Sequence, residues 1–126
     1  EETKPEILIF SEHGLKQDQI EENFQIPYYS LRAHYSRAVH KQGGVAIYVV
    51  EGLEAHTESI EIHQLCEELT CELALVKIKI KNFTIQVMGI YRSPAGNIDD
   101  ALNILSQSLE DTKAELATYC NGRYKY

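Results

Sequence analysis

The alternation of apolar and polar positions along this chain predicts a strand-dominated domain with one late helix. Residues 6–10 (EILIF) form a short apolar run, rich in β-branched and aromatic side chains and preceded by Pro5, which reads as a buried strand. Ser11-Glu12-His13-Gly14 closes it with turn formers and puts Glu12 at or just past the strand's carboxyl end. Ile20 and Phe24 stand four apart in a polar stretch, which suits a short surface helix or turn, broken at Ile26-Pro27. Residues 28–38 alternate loosely; as a strand they would place Tyr29, Leu31, Ala33 and Tyr35 on one face. Gln42-Gly43-Gly44 is a hairpin signal, because glycine supplies the positive φ that tight turns need. Residues 45–50 (VAIYVV) are the clearest strand, and the unbroken apolar run predicts burial on both faces.

Further along, a strand is expected over residues 58–65 and another over 73–81, where Val76, Ile78 and Ile80 alternate with Lys77, Lys79 and Lys81. Asn82 marks a turn and residues 83–91 (FTIQVMGIY) return as the next strand. A loop, Arg92-Ser93-Pro94-Ala95-Gly96, leads to Asn97, a helix cap with Asp100 as its box-like partner. Leu102, Leu105, Leu109 and Leu116 then make one apolar helical stripe ending near Gly122. The order strand, turn, hairpin, hairpin, loop, helix is a mixed α/β (α+β) layout, mostly antiparallel hairpins with one long C-terminal helix. No internal repeat or linker divides residues 1–126, so a single domain is expected.

Composition narrows this only a little. The chain has 126 residues, 44% of them hydrophobic, and a net charge of −7, which fits one globular domain. Its longest apolar run, residues 45–50, is far too short to span a membrane. Three cysteines, Cys66, Cys71 and Cys120, suit no disulfide framework and favour a reducing, intracellular compartment. The charge is strongly uneven. Residues 23–50 hold no acidic side chain but include Arg32, His34, Arg37, His40 and Lys41, whereas residues 51–72 hold seven glutamates and no Lys or Arg. Such blocks read either as solvated faces or as a local basic surface for a polyanion within an acidic protein.

Three groups could carry chemistry. Glu12 is a carboxylate at a strand's carboxyl end, where α/β sheets place functional groups, and Mg²⁺ needs only one or two protein carboxylates when phosphate and water complete its shell; the plain alternative is an exposed loop glutamate. Tyr91-Arg92-Ser93-Pro94 offers a phenol, a guanidinium and a hydroxyl able to contact phosphate oxygens, or else a polar surface turn. His63, Cys66 and Cys71 lack the fourth ligand and the paired spacing of a zinc site, which leaves buried structural cysteines as the better reading.

In order along the chain, three segments resemble the endonuclease/exonuclease/phosphatase superfamily. An apolar strand running into Ser11-Glu12-His13-Gly14-Leu15 is similar to its glutamate segment. Arg37 followed by His40-Lys41-Gln42-Gly43-Gly44-Val45-Ala46-Ile47-Tyr48-Val49 resembles its G-G-V-A-I-Y-V hairpin in the form used by non-LTR retrotransposons. Gly89-Ile90-Tyr91-Arg92-Ser93-Pro94 resembles its I-Y-R-x-P segment. The likeness spans about residues 4–110 and is strongest to the endonuclease of mobile elements of the jockey type; residues 111–126 form a divergent tail. It implies a β-sandwich fold and Mg²⁺- or Mn²⁺-dependent hydrolysis of DNA phosphodiesters, nicking a nuclear target so that a reverse transcriptase can prime. Carried over by position, Glu12 would bind the metal, Tyr91 would line the scissile phosphate, and Arg92, Ser93, Arg37 and Lys41 would face phosphate or DNA.

The same resemblance implies parts not found here. They are an Asn on a strand before Glu6, a G-D-F/I-N strand after the helix, and a terminal Asp-His pair; none of His13, His34, His40, His56 and His63 occupies the last position. With Glu1 rather than Met at its start, the chain is expected to be the N-terminal part of such a domain, inactive alone and holding metal only weakly. It is also expected to supply mainly one sheet, leaving the face built from Ile47, Val49, Ile78 and Ile85 uncovered and prone to self-association. Two other readings stay open at this point: a remnant that only binds nucleic acid or protein, and another phosphatase or phosphodiesterase of the same superfamily.

Overall fold

The structure, a computed structural model, describes residues 5–22, 24–39, 42–60, 62, 66–93, 96–112 and 116–120. Its elements are β1 (Ile7–Ser11), α1 (Gln17–Glu22), β2 (Tyr29–Tyr35), β3 (Val45–Val50), a 3₁₀ turn (Glu54–His56), β4 (Thr57–Ile60), β5 (Glu72–Ile80), β6 (Phe83–Tyr91), α2 (Ile98–Thr112) and β7 (Leu116–Cys120). They form two sheets in a mixed α/β arrangement. In the first, β3 lies between β1 and β2, all antiparallel; the second has the order β4-β5-β6-β7, antiparallel except where β7 runs parallel to β6. A parallel neighbour requires a crossover, and α2 provides it.

The sheets pack face to face. Ala33, Val45 and Ile47 of the first sheet share a buried core with Ala74, Val76, Ile78, Val87 and Tyr91 of the second. The expectation of an uncovered inner face is therefore wrong for this chain: Ile47, Val49 and Ile78 are buried and Ile85 is packed against the shared core. Both sheets come from within these 126 residues, because the short strands 7–11 and 29–35 pair around β3 rather than extending the second sheet. At Gly89 the two sheets approach closely. A Cβ on it would stand 2.7 Å from Val45 Cγ1 and 3.0 Å from Ile9 Cγ2, both on the opposite sheet.

The outer faces are covered as well. On the first sheet Ala46 and Tyr48 pack beneath Ile20 of α1, with Phe10, Phe24 and Tyr48 meeting edge to face. Residues 45–50 are thus buried on both faces, as their sequence predicts. On the second sheet Leu73, Leu75, Met88 and Ile90 lie under α2, which presents Ala101, Ile104 and Leu105. Buried Ser108 continues the same side of the helix, its hydroxyl returned to the Ile104 carbonyl at 3.0 Å. Of the predicted stripe Leu105 packs on the sheet, whereas Leu102 and Leu109 point elsewhere, 51% and 38% exposed. Leu116 also leaves the expected stripe: the helix stops at Thr112 and Leu116 begins a strand.

The β5–β6 hairpin matches its predicted bounds within one residue, and Asn97 caps α2, its Oδ1 accepting the N–H groups of Asp99 (2.8 Å) and Asp100 (3.1 Å). Strand β2 differs in its faces. Leu31 opposes Tyr48 and Ala33 opposes Ile47, so Arg32 is an extra residue in the ladder. That bulge rotates the strand by half its period: Tyr29 and Leu31 pack on the outer layer, Ala33 on the inner core. The strand expected over 58–65 is seen as Thr57–Ile60, and residues 61 and 63–65 lie outside the described set.

Candidate functional site

Strand β1 ends at Ser11, and Glu12 follows in the left-handed region (φ 58°), its N–H donating to the Gly44 carbonyl at 2.7 Å. A non-glycine residue seldom sits there; here the pairing with Gly44 and a second bond, Gly14 N–H to the Gly43 carbonyl at 2.9 Å, hold the turn. The exposed Glu12 is thereby placed at one end of the sandwich. At that same end β6 stops at Tyr91, which is buried to 5% exposure. The Tyr91 hydroxyl donates to Glu12 Oε2 at 2.7 Å, joining the end of β6 in one sheet to the turn that follows β1 in the other, 79 positions apart. Burial, and then the bond to the Glu12 carboxylate, push the Tyr91 phenol up to about 12, so at neutral pH it is a proton donor and not a phenolate.

Behind the pair lies a buried ion pair. Arg37, 5% exposed, donates from Nε to Glu72 Oε2 at 2.6 Å, and its Cζ stands 5.9 Å from the Tyr91 ring centroid. Glu72, fully buried, also accepts the Gly44 N–H (2.7 Å) and the Leu69 N–H (3.1 Å). A carboxylate taken from water in this way is held by charge-assisted bonds on both oxygens, and loss of either ionic partner alone would cost about 3–5 kcal/mol. The Gly43-Gly44 dipeptide makes room for it. Side chains at these positions would collide with the Arg37 guanidinium and the His13 imidazole respectively, and both residues have positive φ (76° and 94°). The two glycines close no tight hairpin, since β2 ends at Tyr35 and β3 begins at Val45; they let side chains lie against backbone. His13 itself donates from Nε2 to the Tyr35 carbonyl (3.1 Å) and accepts the Leu15 N–H at Nδ1 (3.0 Å), and burial lowers its proton affinity.

The residues expected to face phosphate or DNA are dispersed. Arg92 is exposed, and its Nη1 donates to the carbonyls of Ser93 (3.3 Å) and Gly96 (3.5 Å) in its own loop. Ser93 is buried (8% exposed), which removes it from the open surface where a phosphate contact is expected. Arg37 is inside the protein rather than on a basic surface, because Glu72 takes its charge. Lys41 and His40 lie outside the described residues. Arg32, on the bulge, reaches the other sheet and donates to Thr57 Oγ1 (2.7 Å) and the Thr57 carbonyl (3.3 Å), while His34 meets Glu21 at 3.0 Å. Glu68 accepts the N–H groups of Ala38 (2.7 Å) and Val39 (3.2 Å). The basic stretch and the glutamate-rich stretch thus meet through the Arg37–Glu72 ion pair and the backbone bonds to Glu68. Lys79 and Lys81 stand at the far end of the β5–β6 ladder, where Ile80 opposes Phe83, roughly 27 Å from Tyr91 at the rise of an extended strand.

Cys66 and Cys71 pack in the layer under α2 and carry no disulfide; Cys66 Sγ faces the Ile62 and Leu73 carbonyls at 3.5 Å. His63 is outside the described residues. Among the described residues no three His, Cys, Asp or Glu side chains gather where a metal could be held, and no helix is long and apolar enough to cross a membrane. One exposed carboxylate fits a hard cation only when phosphate and water fill its other positions.

Glu72 is the residue that the sequence reading passes over. It stands two, four and six positions before Ala74, Val76 and Ile78, in phase with the core face of β5. A charge in that phase demands a buried partner, and this is the signal that could have found it. No family model matches the chain, and neither the curated proteins nor the solved structures yield a match.

Proposed function

We propose that the chain is part of a metal-dependent DNA endonuclease domain of the endonuclease/exonuclease/phosphatase type, its N-terminal portion in a non-LTR retrotransposon, and that it is inactive alone. The observation that carries this is the 2.7 Å bond between Tyr91 and Glu12. The resemblance selects these two residues independently, from segments 79 positions apart, as the phosphate-facing and metal-facing groups. Their meeting at one end of a two-sheet sandwich supports that pairing of roles. Arg92 stands exposed next to Tyr91 and adds positive charge on the open side.

Glu12 would hold Mg²⁺ or Mn²⁺ together with phosphate oxygens and water, and the bound ion would supply positive charge to the phosphate and the leaving oxygen. Tyr91, neutral at working pH, presents an O–H that can turn from the carboxylate to a phosphate oxygen. Among the described residues none at this end stands as a base for the attacking water. His13, a histidine at this end, has both ring nitrogens engaged with backbone groups.

Two measurements test the reading. Incubated with supercoiled plasmid and Mg²⁺, the chain should produce no nicking that Glu12→Ala removes; Glu12-dependent cleavage would overturn the claim of inactivity. With Mn²⁺ and a dinucleotide added, paramagnetic broadening of nuclear magnetic resonance signals should centre on Glu12 and Tyr91 and vanish in Glu12→Gln. Broadening elsewhere, or none, would overturn the metal-facing role.

A further inference from the structure

The contact between Glu12 and Tyr91 closes a ring of bonds. Tyr91 pairs with Glu72 across the β5–β6 ladder, so the two side chains stand side by side on the core face. Glu72 Oε1 accepts the Gly44 N–H at 2.7 Å, and the Gly44 carbonyl accepts the Glu12 N–H at 2.7 Å. From Glu12 the side chain returns to the Tyr91 hydroxyl. Arg37 joins the ring from within the protein, its Nε on Glu72 and its guanidinium by the Tyr91 ring. Every link but the last is made by buried or backbone groups, and the ring crosses from one sheet to the other and back.

We propose that Glu72 with Arg37 is a positioning pair that fixes how Glu12 and Tyr91 stand relative to each other across the two sheets. A buried ion pair is weak evidence for stability, since apolar residues of similar volume commonly replace one without loss. This one does something an apolar pair cannot. Its carboxylate is bonded to Gly44, whose carbonyl accepts the Glu12 N–H, and it sits on the strand paired with the one that carries Tyr91. Its planar guanidinium limits where the ring can go. The functional weight of the pair rests on the roles given above to Glu12 and Tyr91; the positioning itself does not.

The test separates positioning from stability. In Arg37→Met/Glu72→Leu the ion pair becomes an apolar pair. The methyl resonances of Ile47, Val76 and Ile78 should keep their shifts, showing an intact core. The cross-relaxation signal between the Tyr91 ring and the Glu12 γ-methylene should be lost, and the two sides of the Tyr91 ring should average by fast flipping. An intact core with that signal retained would overturn the proposal. Should the double variant not fold, Glu72→Gln decides. It keeps an acceptor for the loop amides but lacks the charge that orients Arg37, so the signal should weaken markedly; full intensity would overturn the proposal. Arg37→Lys, which keeps charge without the planar fork, should retain only part of the parent signal, and full intensity there would likewise overturn the proposal. Failure of Mn²⁺ to broaden Glu12 in a protein that shows the cross-relaxation signal would overturn the metal role and leave the positioning pair standing.

Discussion

Gly89→Ala puts the face-to-face packing of the sheets to a test in which the sign of the effect is the answer. Alanine in a strand is favoured over glycine by about 0.5–1 kcal/mol, chiefly because glycine loses more freedom on folding. If nothing faced Gly89, the substitution would stabilise the protein by that amount. Instead the new methyl would stand 2.7 Å from Val45 Cγ1 and 3.0 Å from Ile9 Cγ2, against an optimal carbon–carbon separation of ~3.5–4.0 Å. The sheets must part or Val45 must shift, and overpacking of this kind costs about 1–3 kcal/mol. The net expectation is destabilisation of about 1–2 kcal/mol. Val45→Ala alone removes two buried methyl groups, worth about 2 kcal/mol with its cavity. Combined with Gly89→Ala it makes the room the new methyl needs, so the double variant should be more stable than the sum of the singles by about 1–2 kcal/mol. Urea unfolding followed by far-ultraviolet circular dichroism gives all four corners of the cycle. A stabilised Gly89→Ala, or strict additivity, would refute the contact between the sheets.

Two further outcomes follow from local bonding. Asn97→Ala removes the acceptor of two helix-end amides and should cost about 1 kcal/mol in the same unfolding assay, with Asn97→Asp close to the parent. His13, held below 6.5 by burial, favours its neutral form in the folded state. Its contribution to stability is therefore fully present above 6.5 and is lost as pH falls through the lowered folded value; unfolding measured across that acid range should show a shallower loss in His13→Gln.

The parts of the fold that were legible in the sequence are those in which a single period governs a segment. Residues 83–91 and 45–50 are strands at their predicted bounds, and Asn97 caps the helix it was assigned to. What was not legible depends on what lies opposite. The extra residue at Arg32 changes which side chains of β2 reach the core, and only the partner strand reveals it. The leucines of α2 follow helical spacing, yet of the three only Leu105 packs on the sheet, beside Ala101, Ile104 and Ser108, while Leu102 and Leu109 are exposed; leucine spacing alone does not show which side of the helix meets the sheet. Of the candidate site, Glu12 and Tyr91 could be named from their segments, whereas Arg37 was given a surface role because the glutamate that neutralises it stands 35 residues on. For Arg37, charge counted along the chain hid an internal partner.

A contact that joins position 12 to position 91 also says something about time. Loop closure over so long a separation is entropically costly until other contacts share it, and here both sheets must form and dock before the phenol and the carboxylate can meet. Glu12 and Tyr91 are thus expected to come together only in the last steps of folding, and to separate at the first slippage of one sheet over the other. Their hydrogen bond acts as a gauge of the finished structure, and any partly assembled state of this protein would lack it.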